Sequence, residues 1–477
     1  MKKDTRVSAL FWSSADKIVT NGFALIISII LARLIAPSEY GVIATAQIFT
    51  VLLSLFVEPG MTSALIQKKD SDDLDFSTIL TLNLLMGTGL YVILFMISGS
   101  IGEWFDLPQL CAVIRVLGLQ ILVCGYNSVQ VAYVQKHMMF KKYFVCSITG
   151  AAIGAGIAVF MAYRGAGVWA LVVYSLVKYS INALMVTLLF KIHFKLNFSR
   201  ERFRIMFPFA GKMLLAKFID QGYVEATQTI ISKFYSATDL AFYNKGKSFP
   251  DLIINNLNTA LASVLFPMFS NIQDNNYEFK NAVRNSIRMT TFICLPILTG
   301  MFACADSFIS VVLTDKWIDC VPYLRLICCY YFWVPFSNVI WQSLKAAGKS
   351  NVILKLEIAK MILNITTLIL FLFVFKSPIA VAISLVATYT ISFVIENFAA
   401  VKHLNFEVKE LICDFTPSFM LACVMGIIVL AVGKIGVPAI LKLIIQVTVG
   451  TIIYGFTAAV LKFPQVKQLK ALLAKRN

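Results

Sequence analysis

The stretch IMFPFAGKMLLAKFIDQGYVEATQTIIS, Ile205 to Ser232, decides how the chain is read. It is long and apolar enough to cross a bilayer, yet it carries Lys212, Lys217, Asp220, Gln221, Glu225 and Gln228. At about 100° per residue, Lys217, Asp220, Gln221 and Gln228 share one stripe, with Glu225 beside it. A charge at mid-membrane costs roughly 2.5–3.5 kcal/mol on insertion scales, so the stripe is expected to face water or polar partners and not lipid. The expectation is a helix that crosses the membrane inside a bundle and lines a route for something charged.

The rest of the chain supplies the bundle. Its 477 residues are 59% hydrophobic and only 14% charged, with a mean hydropathy of +0.79. A soluble protein of this size carries about 25% charged residues, so the fold class is an all-α polytopic membrane protein. In a soluble chain the net charge of +17 would point to nucleic acid. Here it reads as cationic loops that hold the topology and meet anionic membrane lipids, and no nucleic-acid partner is expected. The start, MKKDTRVSALFWSSADK, is basic and then polar, without an apolar core ahead of a small-residue cleavage site, so no cleaved signal peptide is expected. The cysteines lie mostly in apolar segments, no CxxC occurs, and His137, His193 and His403 fall in short loops. No metal site and no cofactor follow from that pattern.

Runs of about 20 apolar residues mark spans. They fall near 11–35, 41–66, 76–99, 110–134, 143–163, 166–190, 205–232, 240–268, 288–313, 321–345, 352–375, 378–401, 413–433 and 438–461. That predicts about 14 transmembrane helices. Cations crowd alternate loops: Lys2 to Arg6, Lys68-Lys69, Lys136 to Lys142, Lys191 to Arg204, Lys280 to Arg288, Lys345 with Lys349, Lys402 with Lys409, and the tail from Lys462. The other loops hold Glu39, Glu103, Asp106, Asp239 and Asp319 with scattered bases. The bias places both termini in the cytoplasm, which requires an even helix count. The tail Gln465–Asn477 reads as a basic interfacial helix or as a solvated extension.

The chain repeats itself at an offset of about 200 residues, as membrane transporters built from two similar halves do. Arg33-Leu-Ile-Ala-Pro-Ser-Glu39-Tyr-Gly41 leads into the second span, and Lys233-Phe-Tyr-Ser-Ala-Thr-Asp239-Leu-Ala241 into the eighth. In each a cation ends one helix, and Ser38-Glu39 or Thr238-Asp239 is placed to cap the next. Glu103-Trp104-Phe-Asp106 ahead of Arg115 matches Lys316-Trp317-Ile-Asp319 ahead of Arg325, and each Trp is expected to anchor at a membrane interface. The division that follows is 1–200, a bundle of six helices; 201–405, a second bundle of six; and 406–477, two extra helices with a basic tail.

With the repeat in place, the residues resemble a known family. Ser8-Ala-Leu-Phe-Trp12, the Ala32-Arg-Leu-Ile-Ala-Pro-Ser-Glu-Tyr-Gly41 turn and Ala64-Leu-Ile-Gln67 with its following bases are similar to the polysaccharide transporter family, the Wzx-like lipopolysaccharide and exopolysaccharide biosynthesis group. That group belongs to one superfamily with the multidrug and toxin extrusion transporters and the lipid II flippase. The resemblance implies two pseudo-repeated helix bundles around a central cavity plus two C-terminal helices, in a bacterial cytoplasmic membrane. It implies a flippase that moves an undecaprenyl-pyrophosphate-linked oligosaccharide between leaflets, with a polysaccharide polymerase and export machinery as further partners. Where the family has an acid followed by Leu-Gly, this chain has Glu58-Pro59-Gly60, which puts the local helix geometry in question.

Such a substrate has an anionic, hydroxylated head and an apolar tail. Cations on inner helix faces suit its pyrophosphate. The candidates are Lys17, Lys212, Lys217, Lys245 and Lys247, with Lys178 and Lys360 behind them; Lys245 and Lys247 can instead cap the outer end of their helix. Acids within spans suit coupling or gating: Asp16, Glu58, Asp220 and Glu225 above all. Lys217 and Asp220 stand at i, i+3 and can meet. Gly150-x-x-x-Gly154 reads as a close helix contact. Two other functions fit less well. A cation-coupled multidrug exporter of the same fold wants an acid-dominated cavity, and a membrane glycan polymerase wants a large outer loop with catalytic residues; no catalytic residue is expected.

Overall fold

The computed structural model describes residues 3–68, 70–191, 195–404, 406–466 and 468, and they are helical nearly throughout. Met1, Lys2, Lys69, His193 and most of the basic tail, which figure in the loop reading above, lie outside the described residues.

The chain divides into two compact units, Met1–Ala241 and Phe242–Asn477. The first holds α1 (Lys3–Leu34), α2 (Pro37–Ser54), α3 (Pro59–Gln67), α4 (Asp73–Trp104), α5 (Pro108–Leu117), α6 (Leu119–Lys136), α7 (Phe140–Tyr163), α8 (Val168–Phe190) and α9 (Arg200–Phe234). α10 (Ala237–Asn271) begins at the boundary. The second unit continues with α11 (Asn276–Ala303), α12 (Ala305–Val312), a 3-10 turn, α13 (Val321–Tyr331), α14 (Val334–Ala346), α15 (Ser350–Phe375), α16 (Ile379–Leu404), α17 (Val408–Val432) and α18 (Ala439–Val460). The division at 200/201 read from the repeat is a separate matter, because α9 packs on α2, α3 and α4 in the first unit.

Eleven of the described helical segments are long and apolar enough to cross a membrane. The three remaining spans read from the sequence fall short for visible reasons. The second is broken by a turn over residues 55–58, between the end of α2 at Ser54 and the start of α3 at Pro59; proline lacks the N–H that would continue the ladder. The tenth is broken between α13 and α14, ahead of Pro335. The seventh, α9, stays one helix but is too polar along its length. With these the count comes to fourteen.

The repeat is visible in the backbone. α1 ends at Leu34 and α9 at Phe234; the next helices start at Pro37 and Ala237. In both turns the acid sits at the third helical position and reaches back. Glu39 accepts from the Ala36 N–H at 3.4 Å. Asp239 accepts from the Ser236 hydroxyl at 2.5 Å, while Ser236 accepts from the Asp239 N–H at 3.0 Å. Glu39 thus covers the Ala36 N–H ahead of α2, while at α10 Ser236 is the cap and Asp239 holds its hydroxyl; Ser38 and Thr238 do not take the cap position.

The second repeated motif diverges. Trp104 is half exposed, as an interfacial anchor should be, and the Lys233 ammonium stands 5.7 Å from its ring centre. Trp317 is fully buried, with Phe242 edge-on at 6.0 Å and Lys245 at 5.6 Å. The same pattern therefore yields an exposed tryptophan in one unit and a core residue in the other. His137 caps α6, and His403 belongs to the last turn of α16.

Small residues set the closest contacts. A side chain at Gly41 would run into the Ala237 backbone, and one at Gly60 would meet the Ala210 carbonyl oxygen at 2.5 Å. α2 and α3 thereby approach the chain of α9 and its following turn, and Thr45 and Ser232 join them through a 2.6 Å hydroxyl contact. Gly150 and Gly154 lie against the Lys178 backbone, so this glycine pair brings α7 onto α8 as a close-packing motif.

Candidate functional site

The polar stripe of α9 is built from the helix's own side chains. Glu225 is 3% exposed. Its carboxylate accepts from Gln221 Nε2 at 2.6 Å and from Gln228 Nε2 at 2.8 Å. These residues stand one turn before and after the acid, so helical geometry alone brings them together. Lys212 and Lys217 are exposed on the same helix. The side chain of Asp220 lies outside the described residues, so its pairing with Lys217 remains a proposal.

α1 carries Asp16, half-buried beside the Ser147 hydroxyl of α7 and within electrostatic reach of Lys17 and of Lys178 on α8. Its Oδ1 is buried with no hydrogen-bond partner among the described residues. Asn182 donates toward Ser147 at 3.4 Å. Lys178 packs its ammonium against Tyr174 and Tyr179, 6.0 and 5.4 Å from their ring centres. The structure thus brings Asp16 and Lys178 within electrostatic reach of one another, a proximity that sequence spacing could not show. Lys17 is exposed. Glu58 sits at the break between α2 and α3, next to Cys124.

In the second unit Lys245 is 7% exposed and lies over Trp317. Lys247 stands 4.0 Å from Asp251 one turn on. Lys360 lies 4.4 Å from the Tyr389 ring centre. Trp341 Nε1 donates to the buried Glu396 at 3.1 Å. An apolar groove of about 590 Å³ opens among α11, α12, α17 and α18, lined by Pro296, Gly300, Met425 and Gly450, with the buried Gln446 within it. Among the described residues no group of three His, Cys, Asp or Glu is placed to hold a metal.

Two ion clusters escaped the sequence reading. In the first unit the fully buried Asp75 binds Lys68 at 2.5 Å and Arg202 at 3.7 Å, while Arg202 also reaches Asp72 at 3.1 Å. Asp72, which lies outside the spans, is held below the usual carboxylate range, first by the Asp75 N–H, with Arg202 and Lys68 adding to it. In the second unit the fully buried Asp414 accepts from Arg284 Nε at 2.6 Å and from Arg288 Nε at 2.6 Å. Glu410 takes Lys280 at 2.6 Å and Arg284 at 3.1 Å. The available signal was the i, i+4 spacing of Lys280, Arg284 and Arg288, which places three cations on one face of α11.

Known proteins share this sequence and fold. A profile of the family described as polysaccharide biosynthesis protein matches residues 30–322. The lipopolysaccharide biosynthesis protein WzxC of Escherichia coli K12 is 23% identical over 374 residues, 77% of this chain and 75% of that protein. The teichuronic acid biosynthesis protein TuaB of Bacillus subtilis 168 is 21% identical over 97% of this chain and 96% of its own length. Among solved structures, the lipid II flippase MurJ in an inward closed conformation aligns at a TM-score of 0.74 and 14% identity, over 96% of this chain and 100% of that one, a likeness of fold. With a profile covering more than half its length, this multi-helix membrane chain belongs to the family described as polysaccharide biosynthesis protein.

Proposed function

We propose that the chain moves undecaprenyl-pyrophosphate-linked oligosaccharide repeat units across the bacterial cytoplasmic membrane by alternating access, for O-antigen, capsule or exopolysaccharide export. In this reading it is a transporter and not an enzyme, and both termini face the cytoplasm. One observation carries it: relatives named for lipopolysaccharide and teichuronic acid biosynthesis cover three quarters or more of the chain, on a fold that also serves a lipid II flippase.

The exposed Lys17, Lys212 and Lys217 of the first unit offer the pyrophosphate cations, and Lys245 and Lys247 are the candidates in the second. Asp16, Glu58, Asp220 and Glu225 are the coupling or gating acids. Among these, the Asp16 and Lys178 charges reside in membrane-crossing helices, where keeping a charge is expensive and is repaid by function. The apolar groove beside α18 gives the prenyl tail a surface. A polysaccharide polymerase and the export machinery are the expected partners.

The test is the leaflet distribution of lipid-linked repeat units in a deletion strain. Accumulation on the cytoplasmic face, reversed by the wild-type chain and not by Asp16→Asn, supports the reading. Units already facing outward in the deletion strain overturn it, and loss of dye resistance without that accumulation would favour a drug exporter.

A further inference from the structure

Two hydrogen bonds in the second unit share one sequence offset. The Tyr331 hydroxyl donates to Asp251 Oδ1 at 2.5 Å, and Asn338 Nδ2 donates to Asn258 Oδ1 at 3.1 Å; the partners are 80 residues apart in each pair. From the first pair to the second is about two helical turns along both helices. α10 and the α13–α14 pair therefore run side by side in the same direction, with polar contacts recurring along the seam. Gln342 extends the line one turn further, donating through Nε2 to Asn338 Oδ1 at 3.1 Å.

α10 is apolar enough to cross a membrane, and polar side chains in such a helix need a reason. Helix–helix adhesion is the first candidate, but amides that serve only adhesion satisfy one another. Here they are used in part. Each amide offers two N–H donors and a carbonyl acceptor. These bonds leave Gln342 Oε1 and the Asn258 NH₂ available, and Asn258, Asn338 and Gln342 are all half-buried, not sealed.

The seam is also nearly neutral. Its one acid, Asp251, is met by Tyr331 and by Lys247. Groups that both give and accept hydrogen bonds suit hydroxyls, which do the same. They suit a pyrophosphate poorly, because carbonyl oxygens and a carboxylate would face its charge. Tyr330, with Tyr331 at 4.4 Å and Tyr389 edge-on at 4.3 Å, adds an aromatic cluster at the Tyr331 end of the seam.

We propose that this seam binds sugar rings of the transported lipid-linked glycan through their hydroxyls, leaving the pyrophosphate to cations elsewhere. The proposal rests on the flippase reading above. The test uses the full chain in lipid nanodiscs and two kinds of probe: undecaprenyl pyrophosphate alone, and the same lipid carrying one hexose or N-acetylhexosamine. The expected result is that at least one sugar-bearing probe binds roughly tenfold tighter than the bare lipid, the worth of one or two hydrogen bonds. Asn258→Leu/Asn338→Leu should abolish that increment while leaving the Kd for the bare lipid unchanged. Tyr331→Phe, which keeps the ring, should reduce the increment severalfold and guards against a variant that fails to fold. Bare lipid bound with no sugar increment in the wild type, or an increment that survives in both variants, overturns the seam and leaves the flippase reading standing. No binding of any probe, with a lipophilic cation bound instead, overturns both.

Discussion

The two units each bury an aspartate between two cations, and they do so with opposite polarity. In the first unit the acid, Asp75, opens the resident helix α4, and the arriving helix α9 brings the cation, Arg202. In the second unit the resident helix α11 holds the cations Arg284 and Arg288, and α17 brings the acid, Asp414. The neighbours differ as well. Each acid has two cations, one of them shared, Arg202 with Asp72 and Arg284 with Glu410; but Asp75 draws Lys68 and Arg202 from two different places, the second at 3.7 Å, whereas Asp414 takes both arginines from α11, each through Nε at 2.6 Å. The lesson is that one docking device can be assembled from either half of its charge pair, and that its strength depends on how closely the partners approach.

That contrast can be broken at graded cost. Asp414→Ala should have the largest effect, about 3 kcal/mol, because it removes close guanidinium contacts from both arginines and leaves Arg288 without its acid, while Arg284 keeps Glu410. The loss should appear as a lower thermal midpoint of the detergent-purified protein and as reduced abundance in membranes. Asp75→Ala should cost about 2 kcal/mol, since Arg202 stands 3.7 Å from it and keeps its contact with Asp72. Equal losses for the two would mean that the closeness of the guanidinium contacts does not matter.

Glycine contacts sharpen the same comparison. Gly41→Ala drives a methyl group into backbone at Ala237, while Gly426→Ala on α17 meets the Thr299 side chain. Overpacking against backbone should cost about 1–2 kcal/mol, and against a movable methyl group less; paired thermal melts would read the difference. The smallest effect is expected for Arg202→Ala, about 0.5 kcal/mol, since the pair it leaves is exposed. A double-mutant cycle with Asp72→Ala should return a coupling of that size.

Much of the fold was legible. Apolar run lengths placed the spans, and Glu58-Pro59-Gly60 announced its own break. The 200-residue offset reappears in helix ends at Leu34 and Phe234. The ion clusters were not legible, because Arg284 and Asp414 are 130 residues apart and no local pattern joins them. The fate of Trp317 was hidden for a related reason: motif identity with Trp104 says nothing about which neighbours will cover it. Of the candidate site, the spacing on α9 gave candidates but not their wiring, since nothing in it says that Gln221 and Gln228 both donate to Glu225.

That wiring bears on motion. An anion clasped by amides from its own helix travels with its solvation shell attached. A turn or tilt of α9 as a single body would keep Gln221 and Gln228 on Glu225.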